Sequence, residues 1–283
     1  MNPFGKILDL TVVVLFALSG GSPDGPSVVA SDVAATSDPI PFWGRVDCIE
    51  HSKSQTPAHQ LIEAGGDLSP TATGRPQGNT SFRRLTVYDG DDVFGERCEL
   101  GLNNRLGPTV FYGEGMRRIT FISIRIPEET PTGELFRVVY QNKQVQPYDN
   151  PAQPSMLEMQ VRDGVWRLDV NYRNAWKGPL EKGVWARFAF DVVYSQYPER
   201  GSVRVMADLD GDGTFEQSSE TRRMATLLRE TDGDVGPSEG DSIPSHLRAG
   251  IYQDEGYSCP RRGPGCSVDI DNVQVLSAPA PRP

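Results

Sequence analysis

Period-two alternation, repeated along the chain without any sustained helical period, is what most constrains how this protein folds. In GERCEL (95–100) Arg97 and Glu99 alternate, and in LFRVVYQNKQ (135–144) Gln141 and Lys143 alternate. In HLRAGIYQDE (246–255) His246, Arg248 and Tyr252 do the same. Residues two apart on an extended strand point to one side, so each stretch presents a row of polar groups. The other side carries Phe136, Val138 and Tyr140 in the second stretch and Leu247, Ala249 and Ile251 in the third. The expected product is a sheet with an apolar back and a wet front of amides, cations and a phenol. Such a front suits a polyhydroxylated, negatively charged ligand, for which an acidic polysaccharide is the natural class.

The rest of the chain reads the same way. RITFISIRI (118–126) sets Ile122, Ile124 and Ile126 against Phe121, Ser123 and Arg125. Stretches 156–161 and 165–172 flank Arg162-Asp163-Gly164, a short hairpin signal. Stretch 184–194 puts Phe188, Phe190, Val192 and Tyr194 on one face, and 202–209 and 267–276 are further strands. Residues 224–230 are expected as one short helix or turn. Strands at this spacing, broken by many of the 29 glycines and 23 prolines, make an all-β sandwich or jelly roll. The 283 residues suit one such domain, and no internal repeat is visible.

A net charge of −10 argues against nucleic acid, which needs a basic footprint. Residues 1–30 read as a secretory signal peptide: one early lysine, a short apolar run from Leu10 to Leu18, and a small-residue site at Val28-Val29-Ala30. Asp9 interrupts that segment, so an uncleaved anchor is the alternative. After cleavage no membrane contact is expected, and the product is a secreted monomer. Residues 31–40 are expected as a disordered lead-in, 41–276 as the domain and 277–283 as a disordered tail. The four cysteines fit export. Cys259 and Cys266 bracket the loop PRRGPG and are paired locally, which leaves Cys48 with Cys98. A zinc site would need CxxC or clustered histidines, and neither is present.

The order GERCELG, YQNKQ, QPSMLEMQVRDGVWRL, GVWARFAFDV, HLRAGIYQDEGY and VDIDNVQV, over residues 45–276, resembles the heparin-lyase-I-like and glucuronan-lyase-like polysaccharide lyases. The resemblance implies a concanavalin-like β-jelly-roll sandwich of two antiparallel sheets, shared with alginate lyases. Arg97, Glu99 and Leu100 match that family's Arg-x-Glu-Leu strand. Arg248, Gly250 and Tyr252 match its Lys/Arg-x-Gly-x-Tyr strand, and Gln141 matches the Gln of its Gln-x-His strand. Lys143 stands where the family usually has histidine.

The implied chemistry is β-elimination at a uronate: loss of the proton beside the carboxylate and expulsion of the oxygen at C4. That proton becomes acidic only when the carboxylate is neutralised, best by amide or guanidinium donors in a dry groove. Gln141 is the candidate for this, with Arg97 beside it. Tyr252 is the candidate acid and also a candidate base. Lys143 is a base if its pKa is lowered, and otherwise steers the carboxylate. Glu99, Arg125, Arg137, His246 and Arg248 complete the set as substrate-binding candidates, each with an ordinary structural role as the alternative. His51 and His59 sit in loop-like sequence. A non-catalytic carbohydrate-binding protein is the alternative for the whole, because the usual histidine is replaced. A glycoside hydrolase would need a carboxylate opposite Glu99.

DLDGDGTFE places Asp208, Asp210 and Asp212 at alternate positions before Gly213, as a calcium loop begins. Ser219 occupies the place of the terminal Glu, leaving Glu216 only for another geometry. A plain Asp-Gly hairpin turn is the favoured expectation, with a structural calcium ion as the alternative. No other cofactor is implied.

Overall fold

The computed structural model describes residues 45–48, 58–67, 81–91, 96–101, 112–133, 137–144, 155–215, 217–219, 222–229, 242–253, 259 and 264–279. The segments assigned above to signal peptide and lead-in, His51, Phe136 and Glu216 lie outside these residues.

The strands in chain order are β1 (Arg45–Cys48), β2 (His59–Ile62), β3 (Phe82–Val87), β4 (Glu96–Gly101), β5 (Arg117–Arg125), β6 (Arg137–Gln144), β7 (Leu157–Arg162) and β8 (Val165–Val170). They continue with β9 (Arg173–Pro179), β10 (Trp185–Val193), β11 (Ser202–Asp208), β12 (Gln217–Ser218), β13 (Arg222–Arg223), β14 (Leu228–Arg229), β15 (Ser242–Ile243), β16 (Ser245–Gln253) and β17 (Cys266–Ala278). A seven-stranded antiparallel sheet runs β1-β4-β16-β6-β7-β8-β9. An eight-stranded one runs β12-β11-β10-β5-β17-β3-β2, with β13 attached to β11. The architecture is an all-β jelly-roll sandwich. Among the described residues there is no helix, and so none long and apolar enough to cross a membrane.

The sheets meet over one apolar layer, because inward positions alternate with outward ones on every long strand. Tyr140 of the first sheet stacks on Phe190 of the second, with ring centroids 4.4 Å apart. Trp166 meets Phe188 edge-on at 5.1 Å. Fully burying side chains of this size contributes about 1.5–3 kcal/mol each. A smaller cluster of Ile119, Phe121, Ala189 and Leu276 lies on the outer side of the eight-stranded sheet, beneath Phe215.

The structure differs from the sequence reading at several points, although residues 224–229, expected as a helix or turn, contain no helix and lead into β14, which pairs with β15. β17 runs on through Ser277 and Ala278, past residue 276, because Arg118 and Arg117 of β5 continue the ladder there. A β-bulge in β6 between Val138 and Tyr140 shifts its register. Val138 therefore shares the outward face with Gln141, and Arg137 turns inward, paired with the core residue Val161. Finally, β5 belongs to the second sheet, so Arg125 lies on the other sheet from Arg97, Gln141, Arg248 and Tyr252.

Candidate functional site

Cross-strand register aligns the outward residues of the seven-stranded sheet into transverse rows. In the first, Gly101, Arg248, Gln141, Glu158, Asp169 and Asn174 face one another in succession from β4 to β9. In the second, Arg97, Tyr252, Val138, Gln160, Arg167 and Lys177 do so. His246 faces Lys143 at the end of β6. Neighbouring strands lie about 4.8 Å apart, so six strands make a row roughly 24 Å long.

At the centre stands Glu99, only 2 % exposed. Its carboxylate accepts a hydrogen bond from Gln141 Nε2. Arg97 Nη1 lies 3.5 Å and Arg248 Nη1 3.6 Å from its second oxygen. Ser155 Oγ donates to Gln141 Oε1, so both ends of the amide are held and its orientation is fixed. Two guanidinium groups around one carboxylate leave the cluster with a net positive charge, the sign needed to receive an anion. The Arg97 guanidinium lies 4.5 Å from the Tyr252 ring centroid. Arg248 Nε donates to His246 Nε2 at 3.1 Å, which requires that nitrogen to carry no proton.

Gly250 makes this packing possible. It faces Glu99 across the ladder, with φ at +154°. A Cβ there would lie 2.2 Å from the Cys98 carbonyl oxygen and 2.6 Å from Glu99 Cα. Only glycine allows β16 so close to β4.

The sheet also brings in residues not singled out from sequence. Glu158 sits between Gln141 and Asp169 and accepts from Gln160 Nε2 at 2.9 Å. Burial raises its pKa above the usual carboxylate value, against the hydrogen bond from Gln160; Asp169 adds to the rise and Lys143 opposes it. The alternation of Glu158 and Gln160 in LEMQVR was the signal that reveals them. Ser155 carries no such signal, since it precedes its strand.

Other candidates stand apart. Arg137 is buried on the inner side, its Nη2 3.9 Å from Cys266 Sγ, and burial lowers its pKa. It is no substrate contact. Arg125 donates from Nε to Asp269 at 3.0 Å and lies between Trp185 and Phe82, 4.4 and 4.7 Å from their ring centroids. It is a structural cation of the other sheet. His59 lies on β2 with Arg83 Nη1 3.0 Å from its Nε2; burial and then that charge lower its pKa. The disulfides Cys48–Cys98 and Cys259–Cys266 are formed.

Asp208, Asp210 and Asp212 bring oxygen atoms within 4.8 Å of one another. Asp208 is engaged already: Gly211 N and Gly213 N donate to its two oxygens at 2.8 and 2.9 Å, and Arg187 Nη1 lies 3.3 Å away. Asp210 and Asp212 accept from the amides of Asp212 and Thr214 at 3.2 and 2.7 Å. The bonds of Asp210 and Asp212 are Asx turns, and those of Asp208 close the loop after β11.

The family described as polysaccharide lyase matches residues 50–274. No curated protein matches. Among solved structures, the catalytic domain of a glycoside hydrolase family 131 protein from Coprinopsis cinerea is 13% identical, with 77% of this chain and 76% of that one covered and a TM-score of 0.48. The family 7 alginate lyase A1-II' is 12% identical over 80% of this chain and 95% of that one, also at 0.48. A PL-14 alginate lyase from Aplysia kurodai is 11% identical over 77% and 90%, at 0.42.

Proposed function

Because the chain belongs to the polysaccharide lyase family, we propose that it cleaves a uronate-containing polysaccharide by β-elimination on the outer face of its seven-stranded sheet. The observation that carries this reading is the cluster of Gln141, Arg97 and Arg248 around Glu99, with Tyr252 stacked on Arg97.

A uronate carboxylate enters beside Gln141, whose second amide N–H and the Arg248 guanidinium neutralise it. As the C5 proton leaves, electron density moves into the carboxylate, and these fixed donors stabilise the developing dianion. Tyr252, acting as the phenolate, takes the proton and becomes the phenol. The C4–O bond breaks as the C4–C5 double bond forms, and the phenol returns a proton to the departing oxygen. One residue serves for both steps, and the Arg97 cation against its ring stabilises negative charge on the phenolic oxygen.

Lys143 is a carboxylate clamp in this scheme. It lies beyond Gln141 on the side away from Val138, the residue that faces Tyr252. Five residues of strand separate Lys143 from Val138, roughly 16 Å. His246, paired with Lys143, supplies an imidazole beside the position where the family usually has one. The guanidinium groups provide the positive charge of the site and the amide a neutral donor, so the scheme requires no cofactor. Glu99 is tied down by three donors and acts as a positioning residue, which disfavours hydrolysis by a carboxylate pair.

A secreted enzyme is consistent with both disulfides. The test is incubation with glucuronan, alginate and heparin-type polymers, reading the ultraviolet absorbance of unsaturated uronate ends. Rising absorbance on at least one is expected. Binding without any absorbance change would identify a carbohydrate-binding protein instead.

A further inference from the structure

The two transverse rows of the outer face differ in charge. Glu158 and Asp169, the acids beyond Gln141, both stand in the first row. The second row, Arg97, Tyr252, Val138, Gln160, Arg167 and Lys177, holds cations and no carboxylate.

Two of those cations meet at its far end. Arg167 of β8 and Lys177 of β9 are direct partners on the ladder. Their chain neighbours Trp166, Leu168 and Trp176 are buried in the core, so both charged side chains project outward. Like charges directly opposite one another on a sheet are destabilising. Asp169 offsets Arg167, accepting from its Nε at 2.7 Å. Among the described residues no carboxylate is paired with Lys177. A lysine on an edge strand such as β9 also deters pairing with another sheet, but opposite a glutamine it would do so without electrostatic cost. Facing an arginine, it concentrates positive charge where an anion can be received.

The arginine is prepared for that. Asp169, two residues along the same strand, fixes its Nε and leaves both Nη groups to be offered as a fork to a carboxylate. Gln160 faces Arg167, gives its Nε2 to Glu158 and keeps its carbonyl oxygen for a hydroxyl donor. Arg167 lies two strands beyond Gln141 and Lys177 three, about 10 and 14 Å across the sheet. The sugar whose carboxylate meets Gln141 does not reach that far, whereas one further along the chain does.

We infer that Arg167 and Lys177 form a distal subsite for the carboxylate of a second uronate, so that the substrate carries charge beyond the sugar that is cut. This rests on the reading of the outer face as the substrate groove.

The test is calorimetric binding of an all-uronate disaccharide and an all-uronate hexasaccharide, prepared from glucuronan and from alginate. Turnover is prevented by the Tyr252→Phe background. Tighter binding of the hexasaccharide is expected. Arg167→Gln and Lys177→Gln together should weaken it about tenfold, the worth of a charge-assisted contact, and leave the disaccharide unchanged. Lys177→Glu sets opposite charges across the ladder, so Tm should rise by about 1–3 °C while hexasaccharide affinity falls about tenfold or more. A lysine serving the fold alone would not move those two readouts in opposite directions. Unchanged hexasaccharide affinity in the double variant, equal losses for both ligands, or a disaccharide bound as tightly as the hexasaccharide overturns the inference. In that case uronate cleavage by the wild-type chain leaves the lyase reading standing. Absence of both binding and cleavage removes the groove reading and this inference with it.

Discussion

Gln141 reaches across β16 to Glu99, and its amide is gripped at both ends, by the Glu99 carboxylate and by the Ser155 hydroxyl. The intervening strand offers Gly250 opposite Glu99, so no side chain stands there. A neutral amide held in one orientation, with a second N–H to offer, is a prepared donor for a carboxylate.

Removing that donor tests its role directly. Gln141→Ala is expected to lower kcat by roughly 100-fold or more, the usual effect of losing one oxyanion-type donor. Tyr252→Phe should abolish turnover with polymer binding nearly intact, since only the proton-transfer group is lost. Steady-state rates and calorimetry on both variants are the measurement. Wild-type rates in both would end the proposed mechanism.

Lys143→His separates base from clamp. It restores the residue type that the resembled lyases carry, on the same strand face. A clamp predicts a KM for uronate polymer raised about tenfold, the worth of a charge-assisted contact, and no gain in kcat. A raised kcat would make Lys143 a weak base instead.

Gly250→Ala would drive a methyl group into the Cys98 carbonyl and Glu99 Cα, so β16 must move away from β4. The expected cost is roughly 2–3 kcal/mol of stability, read as the urea midpoint. Turnover should fall in the surviving folded fraction, because Glu99 and Tyr252 would no longer keep their spacing.

Glu158 gives a pH signature. Its folded pKa is raised by burial above the ordinary 4.5, so the native state holds a proton that the unfolded chain releases first. Its contribution to stability is therefore present below pH 4.5 and is lost as pH rises through the raised value. Glu158→Gln should melt higher than wild type at neutral pH, with the gap closing on acidification towards that ordinary value. Parallel melting curves across the range would exclude this.

The short disulfide is expected to be structural. Gln253 Nε2 lies 3.1 Å from Cys259 Sγ and 2.5 Å from the buried Glu96 carboxylate, which ties the bridge to the base of β4 and β16. Replacing Cys259 and Cys266 together by serine should cost about 2–3 kcal/mol, measured by denaturant titration. Peptide mapping without reduction should recover both bridges.

Local periodicity was enough to specify β4 to β8, β10, β11, β16 and β17 and the polar groups of β4, β6 and β16, because side-chain direction in a strand depends on residue parity. β2, β3 and β9 went unread. Where parity was locally broken, as by the bulge at Val138, it misassigned Arg137. Which strands become neighbours is a different matter: pairing joins residues far apart in the chain, and no short window records it. Arg125 alternated as convincingly as Arg97, yet β5 pairs with β10 and β17, so that arginine faces away from the site. Likewise, only the assembled sheet put Glu158 beside Gln141 and set Gly250 opposite Glu99. The sequence determined the faces. The tertiary structure decided which faces became one surface, because register and close backbone approach are properties of strand pairs rather than of strands.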